Sequence, residues 1–351
     1  MAITMILTGD VNLMAVTDAA VPFRRVGAEL RAADIVFGNL ECCLAKPARH
    51  SVGNEGFFAD PAVGGEALRL AGLHAVGIAN NVHYGEANIL ASIARLDALG
   101  IPHTGAGPDL AAARAPVILE RGGVRVGFLQ RSSVYWPTNH EALPDAPGIA
   151  VIRGHTAYHV PTQRLRAGMP PPNRPGVPPE IVTWADKHYL RAFADDVAAL
   201  RSRVDILVAS CHWGLKEDVL DYMTEIGTAA IDAGADIVMG HGPHYSLPVG
   251  MHKGKPIFYG LGNLSFHTGH GGRANGDWLG MLVRASIGKG GIEDVRFRFV
   301  RHDEKNETYW SDPEREAEVL AGLARLSAAC GAKLTRDGDD VRVTSIDADQ
   351  E

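Results

Sequence analysis

Long apolar runs are missing from this chain. No stretch approaches the ~18–20 continuous apolar residues that span a bilayer. The opening Met1-Ala2-Ile3-Thr4-Met5-Ile6-Leu7-Thr8 lacks the basic segment, extended apolar run and small-residue cleavage site of a secretory leader. Cysteine is scarce, with Cys42, Cys43, Cys211 and Cys330 the four among 351 residues. That number is small for a disulfide scaffold and the adjacent pair is awkward for an ordinary bridge, so a reducing compartment is favoured. Cys42 and Cys43 read as buried packing rather than redox chemistry. These absences predict a cytoplasmic protein with no membrane partner. Positive charge is short as well: 34 Lys and Arg stand against 41 Asp and Glu, a net −7. Such a balance argues against a nucleic-acid surface, while a small anionic ligand stays compatible because a bound metal can dominate the local field.

What is present is ordinary for a soluble globular chain, 46% hydrophobic and 21% charged. The length suits one large α/β domain with insertions. We read residues 1–310 as that domain and 311–351 as a C-terminal helix and tail packed on it. The first half alternates short apolar runs with helical patterns. Strands are expected at Thr4–Leu7, Asp34–Phe37 and His74–Ile78, and helices at Val26–Ala33, Ala62–Leu70 and Ala87–Leu99, the rhythm of a largely parallel sheet. Val117–Glu120 and Val124–Leu129 flank Gly122-Gly123 as a hairpin. Residues 145–183 read as an insertion loop, because seven of the twenty prolines fall between Pro161 and Pro179 and proline suits neither helix nor central strand. Beyond it come helix Trp184–Leu200, strand Ile206–Ser210, helix Met223–Asp232 and strand Ile237–Met239. Antiparallel strands follow at Pro256–Tyr259, Gly280–Ile287 and Asp294–Val300. A late helix Glu314–Leu326 opens at Pro313, and the acidic end beyond it reads as frayed.

Polar residues fall where the strands end. Five successive strand ends deliver Asp10, Glu41, Asn81, His212 and the pair His241/His244, and strand carboxyl ends define the ligand crevice of open α/β sheets. Asp or Asn at one strand end is an ordinary turn residue; five in register with the strand rhythm form a constellation. Two carboxylates, an amide oxygen and three imidazoles suit Mn, Fe, Zn or Ni, as one or two ions, rather than Ca or a thiolate site. Two such ions sharing a carboxylate lower the pKa of a bridging water and clamp a phosphoryl group. Glu41, between Leu40 and Cys42, is an odd carboxylate to bury without a partner, whereas His212 beside Trp213 also admits a core reading.

Gly9-Asp10-Val11, Gly38-Asn39-Leu40-Glu41, Ala79-Asn80-Asn81, His212-Trp213-Gly214, Gly240-His241-Gly242-Pro243-His244 and Tyr259-Gly260-Leu261-Gly262-Asn263 follow one another in an order that resembles the CapA family of poly-gamma-glutamate capsule synthesis. These proteins are distant relatives of the calcineurin-like metallophosphoesterases. The resemblance covers roughly residues 4–270 and implies a four-layer αββα sandwich with the site at the strand ends. It also implies that Asp10 and His244 hold one metal, that Asn81, His212 and His241 hold the other, and that Glu41 bridges. Two positions depart from the phosphoesterase pattern. Asn12 stands where a His is usual, which implies a weaker first site, and Val82 stands where the leaving-group His would be, with His83 one residue later.

Asp10, Glu41, His83 and His212 are accordingly the expected catalytic residues, and Asn80, Arg131 and His267 the expected substrate contacts. Arg131 reads equally as a partner of a nearby acid. His267 and His270 read either as pocket or as glycine-rich loop. Tyr135, Trp136, His155, Tyr158 and His159 read as a lid or as ordinary packing. The expected activity is a metal-dependent hydrolase acting on a phosphoester or an amide of a small or peptide-like substrate. Two alternatives stand beside it, a metal-independent acid/base enzyme abstracting a proton next to a carbonyl, epimerase-like, and a non-catalytic binding protein on the same fold.

Overall fold

In a computed structural model, residues 2–46, 57–160, 175–269 and 272–346 are described. The chain runs β1 (Ile3–Asn12), α1 (Gly27–Ala32), β2 (Ile35–Leu40), α2 (Pro61–Ala71), β3 (Ala75–Gly77), α3 (Glu86–Leu99), β4 (His103–Thr104), β5 (Ala106–Gly107), α4 (Leu110–Arg114), β6 (Val117–Arg121) and β7 (Val124–Ser132). It continues with β8 (Gly148–Ile149), β9 (Gly154–His159), β10 (Glu180–Ala185), α5 (Lys187–Arg201), β11 (Ile206–His212), α6 (Asp221–Asp232) and β12 (Ile237–His241). The last part holds β13 (Val249–His252), β14 (Lys255–Phe258), β15 (Asn263–Phe266), β16 (Gly280–Gly288), β17 (Gly291–His302), β18 (Thr308–Trp310), α7 (Ala317–Ala329), β19 (Ala332–Asp337) and β20 (Asp340–Ser345).

Two mixed sheets carry the fold. One has the order β19-β20-β17-β16-β1-β2-β3-β4, with β15 added at the end of β1 and β18 on β17; the other runs β13-β14-β12-β11-β7-β6. Side-chain alternation along each strand explains the layering. Met5 and Leu7 of β1, Ile35 and Phe37 of β2, Val126 and Phe128 of β7, Ile206 and Val208 of β11, and Ile237 and Met239 of β12 face one another in a single core between the sheets. Phe37 stacks on Phe128 across it with ring centroids 4.4 Å apart. The alternate residues Ile6, Val36 and Val76 face outward into a second core with Leu68, Ile89 and Leu96 of α2 and α3. Leu207, Ala209 and Val238 face Phe193, Val197 and Ile226 of α5 and α6. Helix, sheet, sheet, helix is the αββα sandwich.

Several boundaries move for local reasons. Trp184 lies in β10, and the helix after it starts at Lys187 because the Asp186 side chain accepts from the His188 and Tyr189 N–H groups. Pro313 does not open the late helix, which begins at Ala317. The insertion read as loop is bounded by a two-stranded ribbon, β9 antiparallel to β10; residues 161–174 between them lie outside the described residues. After the late helix comes the hairpin β19–β20, and β20 joins β17 through Arg342 and Val341; the acidic end read as frayed, residues 347–351, lies outside the described residues. No helix among the described residues is long and apolar enough to cross a membrane.

Candidate metal centre

The inward-facing rows that build the core between the sheets turn polar at the strand ends. Asn39 continues the row of Ile35 and Phe37, Gln130 that of Val126 and Phe128, Ser210 and His212 that of Ile206 and Val208, and His241 that of Ile237 and Met239. His212 and His241 are register partners on β11 and β12, so their rings share a face. Asp10 breaks parity. Its strand shifts register between Thr8 and Asp10 against β2, and again between Asp10 and Val11 against β15, a bulge that re-aims the side chain. Gly9 permits the crossing: a Cβ there would stand 1.9 Å from the Gly262 carbonyl oxygen. The Asp10 N–H donates to that oxygen at 2.9 Å. After His241, Gly242 (φ 107°) and the left-handed His244 (φ 66°) fold the chain back toward Asp10.

The geometry is tight. His244 Nδ1 lies 3.0 Å from Asp10 Oδ2 and its Nε2 3.7 Å from Glu41 Oε1. Asp10 Oδ1 is 3.5 Å from His241 Nδ1, which faces His212 Nδ1 at 3.1 Å. His212 Nε2 meets Asn81 Oδ1 at 2.8 Å. Asp10, Glu41, His212 and His241 are all at most 1% exposed. Ligand atoms fall into two groups, Asp10/His212/His241 and Asp10/Glu41/His244, each within 4.8 Å. Asp10 is the carboxylate common to both, whereas the family resemblance assigns the shared position to Glu41.

Electrostatics separates the two acids. Burial works to raise the Asp10 pKa, but the His244 hydrogen bond and the charges of His244, His241 and His212 hold it well below the usual carboxylate range. Glu41 is pushed well above that range by burial, then by the charge and hydrogen bond of Asp10. Burial, then His241, brings His212 far below an ordinary histidine, and burial brings His241 down to about 4. Neutral imidazoles with free lone pairs beside an ionised carboxylate are a metal-ligand set. Facing ring nitrogens such as those of His212 and His241 also need a proton or a cation between them, since two lone pairs repel. The residues therefore fit a divalent transition ion.

Behind these ligands stand residues that sequence reading passed over. The Asn39 amide donates to Asp10 Oδ1 at 2.8 Å and to Glu41 Oε2 at 3.3 Å. Its oxygen accepts from Asn80 Nδ2 at 3.0 Å and Gln130 Nε2 at 2.9 Å. Ser210 Oγ and Gln130 Nε2 lie 2.8 and 3.2 Å from His241 Nε2. Asn263 Oδ1 is 3.0 Å from His244 Nδ1, and its Nδ2 is buried without a partner. The available signal was parity: Asn39, Gln130 and Ser210 lie in register with inward apolar residues.

Parity also explains where Arg131 goes. Arg131, one step from Gln130, points to the helices instead, where it pairs with Asp196 and lies over the Phe193 ring. Asn80 supports Asn39. Fully buried, it donates to Asn39 and to Leu40 O, and accepts from the Val82 and His83 N–H groups. His83 turns back onto Asn80 Oδ1 at 3.1 Å, fully buried, with its Nε2 buried without a partner. His267 sits edge-on to His302 at 5.7 Å, and His270 lies outside the described residues. Asn12 is engaged by the backbone, donating to Thr268 O and accepting from the Met14 N–H. Trp136 touches the candidate site, its indole N–H donating to Asn81 O at 3.0 Å. His155 and Tyr158 stand on the exposed β9–β10 ribbon.

Comparison with known proteins places this geometry in context. The family described as bacterial capsule synthesis protein PGA_cap matches residues 4–268. A probable polyglutamine synthesis accessory protein of Mycobacterium tuberculosis is 32% identical over 205 residues, 54% of this chain and 44% of its own. A PGA biosynthesis protein CapA of Bacillus subtilis is 37% identical over 99 residues, 28% of this chain and 24% of its own. An uncharacterized protein of Sinorhizobium fredii is 27% identical over 306 residues, 75% of this chain and 66% of its own. The chain thus spans less than half the length of the mycobacterial relative.

Proposed function

We propose a function from this premise: the chain belongs to the bacterial capsule synthesis protein family, PGA_cap. On that premise we read it as a metal-dependent hydrolase directed at a phosphoester or an amide. The observation that carries the reading is the position of Asp10, common to two groups of ligand atoms that are each within 4.8 Å. Asp10, Glu41 and His244 would hold one ion, and Asp10, His212, His241 and Asn81 the other. An ion held there would supply Lewis acidity and a nucleophilic water at neutral pH. The chain's own residues supply the rest. Asn39 fixes both carboxylates from behind, and Gln130 and Ser210 fix the ring of His241. Glu41 would serve such an ion as an ionised carboxylate, so the protonated form favoured by burial and by Asp10 belongs to the metal-free site. Two relatives carry polyglutamine or PGA synthesis in their names, which makes an amide of the glutamyl type the first substrate class to test.

The deciding measurement is metal content of protein purified without chelators, joined to turnover of phosphoesters and γ-glutamyl amides with and without EDTA. Bound transition metal and EDTA-sensitive turnover are expected; turnover that resists EDTA overturns the reading. One observation favours a second reading. Asp10 and Glu41 are driven to opposite protonation states, the pattern of a base beside an acid. Metal-independent proton abstraction then predicts that Asp10→Asn abolishes turnover that EDTA leaves untouched.

A further inference from the structure

His244 forms the edge of a cleft of about 720 Å3. Asn263, which hydrogen bonds His244, and Phe266, whose ring packs 4.5 Å from that of His244, line it too. The cleft is therefore continuous with the candidate metal centre. Away from His244 its wall is mainly hydrocarbon, with Leu247, Pro248, Trp278, Leu323 and Leu326. Along α7, Val319, Leu323 and Leu326 follow the spacing of one helix face. Val319 and Leu326 remain 41% and 49% exposed, so this apolar stripe is not used up by packing.

Gly322 lies on the same face of α7 and lines the cleft. A glycine inside a helix costs about 1 kcal/mol relative to alanine, and here a Cβ would meet nothing within 4 Å. Packing does not demand the glycine; any side chain in its place would project into the cleft. Charge points the same way. Arg301 is the one Lys or Arg among the described residues lining the cleft, and Asp277 and Glu316 both pair with it at 2.8 and 2.5 Å. Glu217 adds a further negative charge to the lining. A polyanion entering here meets an already neutralised guanidinium.

We infer that this cleft is the subsite for an uncharged, apolar arm of the substrate, an aromatic or branched aliphatic group carried next to the bond presented to Asp10, and that it is not a track for a polyglutamate chain. The catalytic half of this statement rests on the hydrolase reading above; the ligand class of the cleft rests on its walls. The test is fluorescence titration of the full chain with the neutral probe N-phenyl-1-naphthylamine, run beside calorimetric titration with Mn2+. We expect one saturable probe site, unchanged in Gly322→Ala, weakened about tenfold or more in Gly322→Trp, and not displaced by a short γ-linked glutamate oligomer. Mn2+ binding should be the same in all three proteins. Absence of a saturable site, full probe affinity in Gly322→Trp, or displacement by the glutamate oligomer would overturn the assignment. Failure to bind Mn2+ with the probe results intact would instead remove the hydrolase reading and leave the cleft assignment standing.

Discussion

Asp10 is stable as a buried anion only because its surroundings answer its charge: a side-chain bond to His244, backbone N–H of Gly242 at 3.1 Å and the Asn39 amide. Its membership of both ligand groups sets a ranking. Asp10→Asn should remove Mn2+ binding at both positions in a calorimetric titration, whereas Glu41→Gln should weaken one. Loss of both equivalents in Glu41→Gln with retention in Asp10→Asn would return the bridge to Glu41. Asn39→Ala, which touches no ion, should still lower Mn2+ affinity by about 10–100-fold, as outer-sphere partners do. A separate residue effect concerns pH. Burial, then His140 and His103, takes His83 from the ordinary 6.5 down to about 3, and burial takes His140 down to about 4. Both are neutral when folded, and between pH 6.5 and those values the unfolded chain binds the extra protons. Their contribution is thus complete above about pH 6.5 and is lost as pH falls toward 3. Each lost proton preference costs about 2 kcal/mol at pH 5. Urea midpoints should fall from pH 7 to pH 5, and His83→Gln should show a visibly smaller fall.

At the level of elements, the crossing of β1 with the Leu261–Asn263 turn is what brings a carboxylate to the histidines. Three glycines make it possible. Gly262 takes φ 64°, and Cβ atoms at Gly9 and Gly280 would each lie 1.9 Å from a carbonyl oxygen, that of Gly262 and that of Asn263. Backbone cannot yield as a flexible side chain does, so Gly9→Ala should cost about 3 kcal/mol, read as a lowered thermal midpoint and reduced soluble yield. A variant with wild-type stability would show that the crossing tolerates more slack than these contacts allow. Elements also account for the misread segments. β9 and β10 flank the proline-rich stretch, and a composition argument about that stretch says nothing of its flanks. β19 and β20 form a hairpin, and β20 pairs with β17 across more than forty residues of chain, a long-range contact that local charge does not reveal.

Across the whole molecule, three cores divide the labour: one between the sheets and one under each helical layer. Cys42 and Cys211 belong to these cores. Cys42, Cys43 and Cys211 are fully buried and Cys330 partly so, all four free. Burial pushes the Cys42 thiol up to about 12, against the Leu13 backbone hydrogen bond, so it is inert while folded. A thiol reagent should count four groups after denaturation without reductant and far fewer before it. A count of two after denaturation would reveal a disulfide and contradict the packing role.

Sequence alone made the alternation of strands and helices and the six strand-end candidates legible, because periodicity is local and strand-end residues can be counted along the chain. The four-layer sandwich was implied by the resemblance to the CapA family. Sequence did not decide which carboxylate is shared or which neighbours support it. Those depend on a bulge in β1, on the positive φ of His244 and on parity at the ends of β2, β7 and β11, each set by contacts between segments far apart in the chain. Parity sends Gln130 inward to His241 and Arg131 outward to Asp196. A single residue of register, fixed by which face the hydrophobic row must bury, separates a residue of the site from a residue of the scaffold.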